Sequence, residues 1–320
     1  MRFNPKARLD TSRTRDVGSS GGGGGGGLGG GGMRLPIPTG KGGIGGIVVV
    51  IIVVVGYFLG ANPLGGGGGL GLPGLGAGAY SPARLSDAQE GTDRYADCKT
   101  GEDANNSSDC ARVAVENSLN AYWSSAIGDK FHPERAVVTF TGSVDTGCGP
   151  AGSDVGPFYC PSDETIYLDT AFFKDVFQGQ LGGSGGAFVE PYVLAHEFGH
   201  HISNLLGFMG RVKGGTGPQS DGVRLELQAD CYAGLWAKHA TETEDASGEV
   251  LIQDLTQQDV DEAMDAAKTV GDDYIQKRAG GREDQESWTH GSSAQRQKWF
   301  MTGYEQGTVE ACDTFSAPQV

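Results

Sequence analysis

The sequence predicts an α+β fold, mainly helical with a small sheet and preceded by one transmembrane helix, on the strength of three observations. Residues 1–80 hold 28 of the 56 glycines in the 320-residue chain, so a packed core belongs to the remainder. Beyond residue 84, apolar residues at helical spacing dominate the C-terminal half, and only short β-branched and aromatic runs precede them. Residues 44–64, IGGIVVVIIVVVGYFLGANPL, carry no charge. A helix of that length spans a hydrocarbon core of about 30 Å.

In chain order, residues 1–43 read as a glycine-rich, disordered cytoplasmic tail, 44–64 as the membrane anchor and 65–83 as a glycine-rich linker. Seven Lys/Arg against Asp10 and Asp16 give residues 1–42 a net charge of +5, leaving 17 basic and 38 acidic residues, or −21, beyond them. Arg13, Arg15, Arg34 and Lys41 precede the apolar run and no charge follows it until Arg84. The positive-inside rule therefore places the N-terminus in the cytoplasm and the large domain outside. A cleavable leader is the alternative, because Ala77 and Ala79 form an A-x-A pattern, but that pattern lies well past the apolar run. The glycine tracts lack the flanking strand, helix and Lys-Ser/Thr ending of a phosphate loop. The acidic remainder repels a phosphate backbone and excludes nucleic acid as a partner.

The outer domain, 84–316, with a short tail at 317–320, shows no internal repeat. Its six cysteines all follow the span, and an even count in an exported domain suits disulfides. Twelve-residue spacings suggest Cys98 with Cys110 and Cys148 with Cys160, leaving Cys231 with Cys312; no CxxC pair favours a structural zinc cluster instead. Residues 112–128 read as a helix and 136–140 and 165–169 as strands. Further helices follow at 190–207, with Pro191 in the first turn and Gly207 at the stop, at 221–240, at 256–270 behind a Thr256/Asp259 cap, and at 292–307.

Within the helix at 190–207, His196, Glu197 and His200 spell HExxH. The i, i+4 spacing places both imidazoles on one face, where two nitrogens share a zinc ion, and Glu197 lies beside that ion as general base. The bland alternative, two incidental helical histidines, is weakened by the apolar neighbours Val193, Leu194, Phe198 and Ile202, since buried imidazoles need partners. His201 projects about 100° away from His200 and serves a structural or supporting role. A catalytic zinc needs a third ligand. Glu226 is the candidate, with Asp230 one turn along the same face of the next helix to accept a hydrogen bond from a ligating histidine. Surface salt bridges to Arg224 or Lys238 are the alternative for these two acids.

HEFGH followed by ELQAD resembles the glutamate-type zincin metallopeptidases. GPFYCPSDETIYLDTAFF, YVLAHEFGHHI, ELQADCYAGLWA and THGSSAQRQKWFMTGYEQG, in this order across most of residues 95–315, are similar to the neutral zinc metallopeptidase family that includes bacterial membrane-anchored YpfJ-like proteins. The resemblance implies a zincin-like domain with Zn2+ on His196, His200 and Glu226, Glu197 as catalytic base and Asp230 supporting a histidine. It also implies a strand, antiparallel to bound substrate, before the motif helix, and 165–169 is the segment that fits. The segment Thr289, His290, Gly291, Ser292 resembles a THP segment of related membrane gluzincins, with Gly291 in place of proline. There His290 would donate to the oxyanion and Arg296 would anchor the loop; alternatively Ser292 or Ser293 caps a helix and His290 is incidental.

The function expected is a membrane-anchored zinc metallopeptidase acting on peptides or proteins outside the cytoplasm. Two rivals are a zinc-binding but inactive interaction module and a zinc hydrolase of non-peptide amides. No GxSxG motif or free cysteine supports a covalent nucleophile.

Overall fold

The computed structural model describes residues 1–19, 92–153 and 155–320. The transmembrane helix expected at 44–64 and the linker at 65–83 lie outside these residues. Among the described residues no helix is long and apolar enough to cross a membrane.

The helices expected from the sequence form with shifts of a few residues. After α1 (Gly101–Asn106) come α2 (Ser108–Ile127), α3 (Val189–Leu205), α4 (Asp221–His239), α5 (Gln257–Thr269), α6 (Asp272–Arg278) and α7 (Ser293–Gln306). Thr256 and Asp259 close a reciprocal capping box on α5, satisfying backbone N–H groups that a helix start leaves unpaired. Ser292 and Gln295 do the same on α7, so the capping role expected of Ser292 holds.

Four strands make the main sheet: β2 (Thr14–Ser19), β3 (Ala136–Thr141), β7 (Thr165–Asp169) and β6 (Phe158–Cys160), in the order β2-β3-β7-β6. β2, β3 and β7 are parallel, and β6 is antiparallel to β7. Two small antiparallel pairs complete the set, β1 (Arg2–Phe3) with β8 (Ile252–Asp254) and β4 (Ser143–Thr146) with β5 (Gly149–Gly152). The strand at 165–169 therefore has neighbours on both sides and no free edge for a substrate. The edge beside the HExxH helix belongs to β6, which corrects the assignment made from the alternation of Ile166 and Leu168.

Residues 1–19 are folded, against the expectation of a disordered tail. Phe3 and Ala7 sit in the main core, and Thr14 and Asp16 point inward from β2. Asp16 is buried but satisfied, accepting from Thr92 Oγ1 at 2.6 Å and Thr139 Oγ1 at 2.8 Å and pairing with Arg94 at 3.0 Å. An arm that buries through backbone pairing and polar contacts leaves little apolar periodicity to read. The tail expected at 317–320 is also tied down. Ala317 O accepts from Arg224, and Val320 O accepts from Gln219 and Gln295.

Three helices carry the site. α3 packs on α4 and α4 on α7, and small residues set how closely they approach. A Cβ on Gly199 would lie 2.9 Å from the Ala229 backbone, and one on Gly234 would lie 1.9 Å from Phe300 O. Helices can meet this closely only where no side chain intervenes. Cys98–Cys110, Cys148–Cys160 and Cys231–Cys312 form three disulfides, the pairing that the spacing suggests. The third ties α4 to the C-terminal segment and removes loop entropy from the unfolded chain.

Candidate metal centre

α3 presents His196 and His200 one turn apart, and the adjacent α4 turns Glu226 towards both. His196 Nε2 lies 3.2 Å from Glu226 Oε2, and His200 Nε2 lies 3.5 Å from Glu226 Oε1. One donor atom from each of the three residues falls within 4.8 Å of the other two, and all three side chains are buried. A tetrahedral zinc site with bonds of about 2.0–2.1 Å has donor–donor edges of roughly 3.3 Å. These two separations, which run to different oxygens of Glu226, are close to such an edge, and two imidazoles with one carboxylate suit the ion chemically. The residues fit zinc.

The carboxylates of the centre are driven apart in acidity. Burial disfavours the charge on Glu226, but His290, His200 and His196 outweigh it and hold its pKa well below the usual range. Burial raises Glu197, and His196 and His200 offset this only in part; a hydrogen bond with the Tyr159 backbone also lowers it. The two acids therefore differ in the protonation state that their surroundings favour.

Behind His196, Asp230 is completely buried. Its Oδ1 accepts from His196 Nδ1 at 2.8 Å, from Tyr192 OH at 2.6 Å and from Arg296 Nη2 at 2.9 Å, while Arg296 Nε donates to Oδ2 at 2.8 Å. Burial opposes this charge as well, yet Arg296 and then His196 hold the pKa of Asp230 at about 2. An ionised acceptor on Nδ1 leaves Nε2 to face the metal position. Asp230 thus stands where the sequence placed it.

Residues 3–315 match the family described as "Putative neutral zinc metallopeptidase". The chain belongs to this family. Relatives within it include an uncharacterized protein of Mycobacterium tuberculosis, Rv2575, 51% identical over 222 residues that cover 69% of this chain and 75% of that protein. An uncharacterized protein of Mycobacterium bovis, Mb2605, matches to the same extent, and YpfJ of Escherichia coli K12 is 39% identical over 192 residues, 58% of this chain and 63% of its own. No solved structure matches the chain.

For this family member the structure also locates what the sequence left open. His290 lines the same cavity as the three candidate ligands, with Nε2 4.0 Å from Glu226 Oε2. Its loop is held by Asp272, whose Oδ2 accepts from the backbone N–H of Thr289, His290 and Gly291 at 2.8, 2.7 and 3.0 Å. Arg296 binds Asp230 and Val270 O instead of that loop, which corrects the anchoring role expected of it. Gly291 has a φ of +87°. A proline, fixed near −65°, cannot adopt it, which accounts for the departure from a THP segment.

Tyr192 and Asp272 went unrecognised in the sequence. Tyr192 falls on the apolar stripe of α3, and only its hydroxyl's partner reveals its role; Asp272 reads as an ordinary first-turn acid. His201 is structural. Its Nε2 donates to His132 O at 2.8 Å and its Nδ1 accepts from Tyr159 OH at 3.1 Å, while burial lowers its pKa to about 4 and keeps it neutral. Phe158, Phe172, Val193, Met209, Leu225 and Ile275 also line this cavity. Its charged lining residues are Glu197, Glu226 and Arg296, with the imidazoles of His196, His200 and His290 beside them.

Proposed function

We propose that the protein is a zinc-dependent peptidase that cleaves peptides or proteins next to an apolar side chain. The observation that carries this reading is the convergence of His196, His200, Glu226 and Glu197 on one cavity. His196, His200 and Glu226 would hold a zinc ion, which would supply Lewis acidity towards water and a carbonyl oxygen when bound. Glu197 takes the proton of the attacking water and returns it to the departing amine. His290 donates to the oxygen that becomes negative as the carbonyl is attacked. Among the described residues the outer edge of β6 is unpaired, which supports an extended peptide held through backbone hydrogen bonds, and the mostly apolar lining of the cavity favours a large apolar side chain over an ionised one.

The three disulfides support an oxidising compartment outside the cytoplasm for the domain. The apolar run at 44–64 supports association with a membrane, by whatever path keeps the two flanks of the run on one side of it.

The test is zinc content together with cleavage of a peptide library by the wild type and by Glu197→Gln. Bound zinc with Glu197-dependent cleavage before or after Leu, Phe or Met is the expected result. Bound zinc without cleavage would make the protein a binding module, and turnover of non-peptide amides alone would make it another kind of hydrolase.

A further inference from the structure

The N-terminal arm bears on where the molecule sits. Ala7 O accepts from Gly101 N and Lys99 O accepts from Leu9 N, each at 2.9 Å, and both Lys99 and Gly101 lie inside the loop closed by Cys98–Cys110. Arg13 O accepts from Val137 N at 2.8 Å, and Asn4 N donates to Leu251 O at 3.0 Å. The fit is close enough that a Cβ on Gly101 would lie 1.9 Å from Asn4 O. Removing the arm would open the edge of β3 and uncover the core around Phe3 and Ala7. Hydrogen bonds of this length cannot be made across a hydrocarbon layer of about 30 Å. The two flanks of the undescribed stretch also meet, because Thr92 N donates to Asp16 O at 2.8 Å.

We infer that residues 1–19 occupy the same compartment as the metal domain. This is incompatible with an N-terminus in the cytoplasm and a domain outside it, because one crossing between residues 19 and 92 would separate strands that are hydrogen-bonded together. It also explains why charge counting misleads. Arg13 and Arg15, two of the four basic residues assigned to the cytoplasmic side, belong to the folded arm. Positive charge orients a span only when it remains in the flanking loop.

The full-length protein carrying Lys6→Cys or Lys277→Cys tests this in intact cells with a membrane-impermeant maleimide. Both lysines are exposed, and among the described residues no native cysteine is free to react. The expected result is equal behaviour: both sites label in intact cells, or both only after lysis. Labelling of Lys277→Cys in intact cells while Lys6→Cys waits for permeabilisation would overturn the inference. The double variant Arg8→Cys/Thr100→Cys gives an independent readout, since these residues face each other across an antiparallel bridge. A cross-link trapped before lysis is expected. Failure of that cross-link together with one-sided labelling would contradict it. Neither readout depends on peptidase activity.

Discussion

Two buried clusters of acids among the described residues solve the same problem in opposite ways. In the metal centre, Asp230 and Glu226 face Arg296 and three imidazoles, and both are held ionised. Elsewhere, Glu116 of α2 and Glu134 lie together with Asn117 and Asn120, while Arg13 of the N-terminal arm hydrogen-bonds only the Glu134 carbonyl, at 3.4 Å. Burial, followed by Glu134, pushes the Glu116 carboxyl well above the usual range, and burial raises Glu134 as well. The surroundings of the first cluster favour the charged carboxylates and those of the second disfavour them. The difference lies in matched cations, since a buried carboxylate without one is neutralised rather than tolerated.

The largest effect expected is on chemistry. Glu197→Gln should lower peptide turnover by roughly 10²- to 10⁴-fold while zinc content is unchanged. Next, Asp230→Ala should strand Arg296 in the core and cost about 3–5 kcal/mol in a denaturant titration. The same substitution should weaken zinc binding by about 10- to 100-fold in a chelator competition, because His196 loses its orienting acceptor. Gly199→Ala should also weaken zinc binding, by forcing α3 away from the Ala229 backbone; unchanged affinity would mean that the helix spacing is not what places Glu226.

The second cluster predicts a pH effect on stability. With its folded pKa above the unfolded value, Glu116 contributes stability that is full below the unfolded carboxylate pKa and is lost as pH rises through the folded one. Glu116→Gln keeps a neutral hydrogen-bonding group in place. It should therefore flatten the decline in melting temperature from acidic to mildly alkaline pH and raise stability at the alkaline end. A steeper decline would contradict a shared proton. The smallest effect expected is from Tyr192→Phe, about 1 kcal/mol, because Asp230 keeps its bonds to His196 and Arg296.

The two clusters also differ in how far they could be read from the chain. HExxH has a fixed helical spacing, so His196, Glu197 and His200 were legible from periodicity, and Glu226 and Asp230 followed from a second helix with the same one-turn interval. The Thr256/Asp259 cap and the twelve-residue cysteine spacings are equally local, and they were legible too. Contacts that join distant segments were not. Glu116 meets Glu134, Arg13 meets the Glu134 carbonyl, and Asp272 meets the 289–291 backbone only after folding. β6 is too short, at Phe158–Cys160, to compete with the clearer alternation of 165–169, so the wrong strand was given the free edge. The folding of the arm was hidden too, because most of its contacts are backbone pairs with segments far along the chain.

The central claim is that His196, His200 and Glu226 hold one metal ion. Anomalous diffraction at the zinc edge from crystals of the full chain tests it directly. The account predicts a single strong peak at roughly 2.0–2.2 Å from Nε2 of both histidines and from a Glu226 carboxylate oxygen. A peak coordinated by other residues, or no peak in zinc-supplemented crystals with those side chains in place, would contradict it.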